Sequence, residues 1–241
     1  MASDGSAIAP MGTLRAVINL GNLLLAGLDG ESEPVGVSVD LSRALADRLG
    51  CGVEFVVVDG ASKAVDAVRA GEADVGFFAI DPLRGEGISF TAPYLLIEGV
   101  YLVASESPLQ SNDEVDRTGH RVLVSKGSAY DLYLSRTLKL AEVDRSATAH
   151  TVVDIFARGR YDVAAGVKQQ LEKGALANPD HRLLPGRFMV IEQAMGLPAS
   201  RGTAAAEILR VFVEEAKSGG LLAASLARHN IHGASVAPPA S

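Results

Sequence analysis

Cysteine is nearly missing from this 241-residue chain, which carries only Cys51. One thiol excludes an intramolecular disulfide. Its place in Leu-Gly-Cys-Gly, entering an apolar run, reads as a buried structural thiol rather than a nucleophile. Basic charge is also in short supply: 29 acidic residues stand against 22 basic ones, the formal net charge is -7, and Arg and Lys are dispersed. Such a chain repels phosphate backbones, and it has neither zinc-finger spacing nor an RNA-binding aromatic motif, so nucleic acid is not an expected partner. No apolar run approaches the roughly 20 residues of a membrane-crossing helix, so no membrane span is expected. The opening Met-Ala-Ser-Asp-Gly-Ser lacks the basic and apolar regions of a signal peptide. The chain therefore reads as cytoplasmic as written, or periplasmic if a leader has been removed. Signatures of chemistry are equally sparse. There is no nucleophile triad, zinc spacing or phosphate loop, and the five histidines fall in expected loops or the tail, so no catalytic residue, metal site or cofactor is expected.

What is present is an ordinary globular composition, 48% hydrophobic and 21% charged, in a chain long enough for two modest lobes. Strands and helices alternate. Leu14 to Asn19 is a short strand emptying into Leu-Gly-Asn, and Val39 to Leu49 has helical spacing stopped by Gly50. Val53 to Val58 is a continuous apolar run suited to burial on both faces. A helix follows over residues 62–70. Asp74 to Ile80 is a third strand, ended by Asp81-Pro82. This rhythm predicts an α/β fold with mostly parallel sheets flanked by helices. Two β-rich segments, Gly99 to Ala104 and Phe188 to Met195, bracket a second α/β stretch and look like crossings between lobes. Inside the bracket a strand over 121–125 precedes helices over 129–140 and 152–158 and a strand over 162–167. After it comes a helix over 203–218 closed by Gly219-Gly220. The domain boundaries expected are 12–103 with 195–232 for lobe 1 and 104–194 for lobe 2, with flexible termini at 1–11 and 233–241.

The order of motifs resembles the amino-acid-type, family 3 bacterial extracellular solute-binding proteins, with their type II periplasmic-binding fold. The resemblance is carried by Gly12-Thr-Leu-Arg-Ala-Val-Ile, Gly36-Val-Ser-Val-Asp40, Ala67-Val-Arg-Ala-Gly71-Glu-Ala-Asp74, Arg84 followed by Phe90-Thr-Ala-Pro-Tyr94, Val124-Ser-Lys-Gly127-Ser128 and Gly159-Arg-Tyr-Asp162. It implies two lobes joined by two hinge strands, a small carboxylate-bearing ligand between them, and an ABC-transporter permease or a sensor protein as partner. Arg84 matches the arginine that grips the ligand carboxylate in relatives, and a planar guanidinium suits that task by offering two parallel donors. Ser128 lies where a strand feeds a helix. It is the expected N-cap, with Lys126, Gly127 and Ala129 around it and the following amides aimed at an anion. Asn19 and Asn22 follow the first strand, where relatives place ligand-facing groups. Ala79, Val167, Gln169 and Glu192 complete the expected ligand-binding set.

Two departures from the family pattern bear on the ligand. Ala79-Ile-Asp81-Pro-Leu-Arg84 replaces the two threonines that usually precede the arginine, so Asp81 either receives a ligand ammonium or orients Arg84. The strand after Gly-Arg-Tyr ends in Val167-Lys168-Gln169 without the aspartate that meets an α-ammonium in relatives. A buried ammonium lacking an anion is costly. Lys168 instead favours a second negative group on the ligand. Two alternatives stand beside transport: a dehydratase- or isomerase-like enzyme on the same fold, using Lys168, Asp81 or Glu192 as acid or base, and an intracellular ligand sensor.

Overall fold

The computed structural model of the chain describes residues 5–22 and 24–240. The polypeptide divides into two compact units: unit 1 is Met1–Leu96 with Glu192–Ser241, and unit 2 is Ile97–Ile191.

Unit 1 begins with β1 (Thr13–Asn19), whose Leu14, Ala16, Val17 and Ile18 are buried. A short ribbon of β2 (Gly27–Leu28) and β3 (Pro34–Val35) leads into α1 (Val37–Leu49). Gly36 joins ribbon to helix at φ 122, and a Cβ there would lie 2.5 Å from the Leu25 carbonyl oxygen, so only glycine fits. The helix stops where Gly50 turns left-handed. β4 (Gly52–Val58), α2 (Ala61–Arg69), β5 (Gly76–Ala79) and β6 (Ile88–Phe90) follow. β1 and β4 run parallel, Thr13 opposite Gly52 through Asn19 opposite Val58, and β5 joins them through a parallel bridge from Ala16 to Val75. The face of α2 packs Ala64, Val65 and Val68 against Val17, Phe78 and Ile88. β4 departs from the expected double burial. Its residues alternate between exposed and half-buried, with Val57 44% exposed, because it is bonded to β1 alone.

β7 (Leu95–Ala104) carries the chain into unit 2. There β8 (Arg121–Ser125), α3 (Ala129–Thr137), β9 (Glu142–Ser146), α4 (Val152–Phe156), β10 (Val163–Val167), α5 (Lys168–Ala177) and β11 (His181–Leu183) follow in order. β8 is parallel to both β9 and β10, whereas β10 and β11 pair antiparallel with β7. Val100, Leu102, Leu123, Ala164 and Leu171 pack with Val152 and Phe156 of α4 as this unit's own core.

β12 (Met189–Pro198) returns to unit 1 and pairs antiparallel with β5 and β6. The parallel pairs are thus the ones bridged by helices, and apart from the β2–β3 ribbon the crossing strands supply the antiparallel ones. α6 (Gly202–Ser218), α7 (Leu221–Arg228) and β13 (Ala234–Val236) close the chain. Some of the described residues near each end are packed. Ile8 and Ala9 are buried, as is Ala237, whose N–H donates to the Tyr94 carbonyl at 3.0 Å. A buried carboxylate fastens unit 1 internally. Asp74 accepts from the backbone and guanidinium of Arg15 and from Arg201, and it holds the Arg15 pKa above its ordinary value.

Candidate functional site

Parallel pairing brings strand ends, and the loops that leave them, to a common edge. In unit 1, β1, β4 and β5 all run the same way, so the turn after Asn19 and the loop after Ala79 leave from one edge. The segment Asp59–Gly60 leaves there too: a Cβ on Gly21 would lie 2.8 Å from the Asp59 carbonyl oxygen. Asn19 is half-buried and works as a turn residue. Its Oδ1 accepts from the Gly21 N–H at 2.9 Å and its carbonyl from the Asn22 N–H at 3.1 Å. Asn22, also half-buried, accepts at its carbonyl from Leu25 and Ala26.

The loop after β5 holds the strongest charge arrangement of this edge. Ala79, Asp81 and Arg84 are all buried, at 5%, 5% and 7% exposure. The Arg84 guanidinium donates to the Ala79 carbonyl at 3.3 Å. Asp81 shapes the turn, accepting from the Leu83 N–H at its carboxylate (2.9 Å) and from the Arg84 and Gly85 N–H groups at its carbonyl. Burial lowers the Arg84 pKa, and the charge of Asp81 acts in the opposite sense. The guanidinium nevertheless stays cationic, since arginine does not deprotonate in proteins. The Asp81 carboxylate is thus engaged with the turn that carries Arg84. Glu192 contributes its backbone here, accepting at its carbonyl from the Ile80 N–H at 2.8 Å, while its side chain is exposed.

In unit 2 the register sets Val122 opposite Val163 and Ser125 opposite Ser146, so the loops after β8, β9 and β10 leave together. Lys126 is exposed, and its N–H donates to the Ser146 carbonyl at 3.0 Å. Gly127 takes φ +70, and Ser128 caps α3 as expected, its Oγ accepting from the Asp131 N–H at 3.1 Å. The expected anion-facing amides are only partly available. The Gly127 N–H donates to the Asp131 carboxylate at 2.8 Å and the Asp131 N–H to Ser128, leaving Ala129 and Tyr130 as the first-turn amides without an intrahelical acceptor. Asp131 is buried and also accepts from Ser135 and from the Arg145 Nε at 2.9 Å. Beside it, burial pushes the Tyr130 hydroxyl up to about 12.

At the end of β10, half-buried Val167 is the N-cap of α5 and Lys168 its first residue, so the expected strand-end lysine stands on a helix. Its Nζ donates to Glu98 at 2.8 Å, and Arg187 donates to the other Glu98 oxygen at 3.1 Å. These two cations hold the Glu98 carboxyl below its ordinary range, and Glu98 raises Lys168 in turn. Gln169 is half-buried, and the Gln170 side chain donates to the Ala149 carbonyl. Sequence reasoning missed Asp131 and Glu98. Asp131 was legible as the acidic third residue after a Ser cap. Glu98, a single charge in Leu-Leu-Ile-Glu-Gly, offers no pattern that reveals its partners.

Two α/β units connected by β7 and β12, each presenting its loops at the ends of parallel strands, define the type II periplasmic-binding fold of solute-binding proteins. Solved structures share it at low identity. A mutant of ArgBP from T. maritima superposes with a TM-score of 0.77 at 20% identity, over 95% of this chain and 98% of that one. The amino acid ABC transporter substrate-binding protein AbpA from Streptococcus pneumoniae, bound to L-arginine, gives 0.78 at 18%, over 94% and 99%. The solute receptor for L-cysteine of Neisseria gonorrhoeae gives 0.78 at 22%, over 95% of each chain. No curated protein sequence matches. The profile of the bacterial extracellular solute-binding proteins, family 3, covers residues 25–223, and the chain belongs to that family.

Proposed function

We propose that the protein is the substrate-binding component of an ABC transporter and takes up a small carboxylate-bearing solute, an amino acid or an organic acid, with Arg84 as the group that holds the carboxylate. The observation that carries this reading is a buried guanidinium, 7% exposed, on a strand-end loop with one buried carboxylate, Asp81, beside it. Holding a cation in such a place is costly unless it is paired and hydrogen-bonded, and a ligand carboxylate adds two further acceptors in the plane that guanidinium recognition requires. The family supports binding, and the ligands of two structural neighbours, L-arginine and L-cysteine, both carry a carboxylate.

Around Arg84, the reading assigns ligand contacts to Asn19, Asn22, Ala79, Asp81 and Glu192. On unit 2 it assigns them to Lys126, Gly127, Ser128 and Ala129 and to Val167, Lys168 and Gln169. The Lys168–Glu98 pair bears on its finer part: a lysine already matched by a carboxylate gives a second anionic group less reason to bind than an unmatched one. A thermal-shift screen against amino acids, monocarboxylates and dicarboxylates, followed by calorimetry on each hit, tests the reading, because a ligand of the native state raises stability by mass action. Saturable binding of a carboxylate that Arg84→Ala abolishes supports it. Binding only of solutes without a carboxylate refutes it.

One structural neighbour keeps catalysis in view. The ancestral amino acid-binding protein AncCDT-1, described as a precursor of cyclohexadienyl dehydratase, superposes with a TM-score of 0.75 at 18% identity. Product formation from a bound acid, followed by chromatography, separates an enzyme from a binding protein.

A further inference from the structure

Arg69 is an exposed side chain in the last turn of α2, where a surface arginine ordinarily contributes little. Its guanidinium is nevertheless committed to one backbone segment. Nε donates to the Glu86 carbonyl at 2.7 Å, and Nη2 donates to the Leu83 carbonyl at 3.2 Å and the Arg84 carbonyl at 3.5 Å. All three acceptors belong to the loop that leaves β5 and carries Arg84. The amides of that loop are held by a different residue: those of Leu83, Arg84 and Gly85 donate to Asp81. Three N–H groups of the loop are thus tied to Asp81 and three of its carbonyl groups to Arg69. Beneath the Arg69 stem the chain turns through Gly87 at φ +75, where a Cβ would lie 3.6 Å from Arg69 Cγ.

We propose that Arg69 is a positioning residue for carboxylate recognition. By holding the carbonyls of Leu83, Arg84 and Glu86 it fixes the backbone from which the Arg84 side chain departs, so that both guanidinium donors meet the carboxylate in one plane. Bidentate pairing depends on such alignment, and a supporting shell that is loose by an ångström costs binding without removing any direct contact. Lysine cannot reproduce the role fully, since a single ammonium does not present the fixed fork that reaches diverging acceptors. The inference rests on the reading of Arg84 as the carboxylate-holding group.

The test is calorimetric titration of wild type, R69A, R69K, R84K and the double variant R69A/R84K. The probe is whichever of L-arginine, L-cysteine, L-lysine, succinate and propionate binds the wild type most tightly, compared each time with its carboxamide. We expect R69A to reduce the preference for acid over amide about tenfold, R69K to recover part of it, and R69A to have a smaller effect in the R84K background, where alignment is already lost. A purely structural role for Arg69 would weaken acid and amide alike, and that result, or no change in either, overturns the inference. If the wild type holds acid and amide equally, or binds no acid, the Arg84 reading itself falls and the inference with it.

Discussion

The strand-end edge of unit 1 and that of unit 2 both collect charge, but under different solvation. In unit 1, Arg84 and Asp81 are buried, and their loop is held by the Ala79 carbonyl, the turn amides, the Arg69 guanidinium and the Glu192 carbonyl. In unit 2, the Lys168–Glu98 pair has side chains 37% and 32% exposed, Arg187 is more exposed still, and the buried carboxylate of Asp131 accepts from the Gly127 amide and from Arg145. A charge interaction in water is screened and offset by the entropy of ordering two long side chains, whereas a buried one carries its full desolvation cost when its partner is removed. The same residue types therefore differ in consequence, and burial ranks them better than their number does.

Substitutions sharpen that ranking. Arg84→Ala should have the largest effect, lowering carboxylate affinity by about a hundredfold, since truncating a buried charge-assisted pair costs about 2–5 kcal/mol, or about thirtyfold to several thousandfold. The same change leaves Asp81 buried beside a missing cation, so urea unfolding should show a loss of about 1–3 kcal/mol, part of it recovered by adding Asp81→Asn. Asp131→Asn comes next. It removes the charge and one of the two oxygens that accept from the Gly127 amide and Arg145, and unfolding should register about 1–2 kcal/mol with less than a tenfold change in affinity. A larger affinity change than that of Arg84→Ala would reverse the ranking of the two edges. Lys168→Ala should alter stability by no more than about 1 kcal/mol, its partner being a third exposed.

The smallest effect should appear with pH. Asp116, in unit 2, accepts from the amides of Ala141, Leu140 and Lys139, and these hold its carboxyl below the ordinary aspartate value. A folded pKa below the unfolded one means that the unfolded chain binds more protons in the interval between them. The stabilisation is then complete above the unfolded value and is lost as pH falls through the folded one. Asp116→Asn should therefore lower stability at neutral pH, where the carboxylate's contribution is complete, and flatten the acid limb of the stability curve below about pH 4. Carboxylate affinity, by contrast, should be flat from about pH 6 to 8 if the anchor is Arg84, which stays cationic throughout.

Much of this architecture was legible in the sequence where local chemistry and tertiary role agree. Gly50 stops α1, Ser128 caps α3, and the buried β5 ends at Ala79, just ahead of Asp81-Pro82. Legibility failed where a segment takes its form from its neighbours. β9 reads Glu-Val-Asp-Arg-Ser and is a strand only because β8 supplies its ladder, Arg121 opposite Glu142 through Ser125 opposite Ser146. α5 carries Gly174 in its interior, which local propensity disfavours, and packing requires it: a Cβ there would lie 2.9 Å from both methyl groups of Val153. Within the candidate site, Arg84 was accessible through its motif. Its burial and the Arg69 clamp depend on how α2 lies against the loop after β5, which no spacing rule encodes. Lys168 was read as a lysine awaiting an anion because its partner Glu98 is 70 positions away in the chain.

The most direct test of the account is calorimetric titration of wild type and Arg84→Ala with the carboxylic acid that stabilises the wild type most in a thermal-shift screen. The account predicts saturable binding by the wild type that Arg84→Ala weakens about a hundredfold, with the variant still folded by its melting transition. Equal affinity of the two proteins for that acid would contradict it.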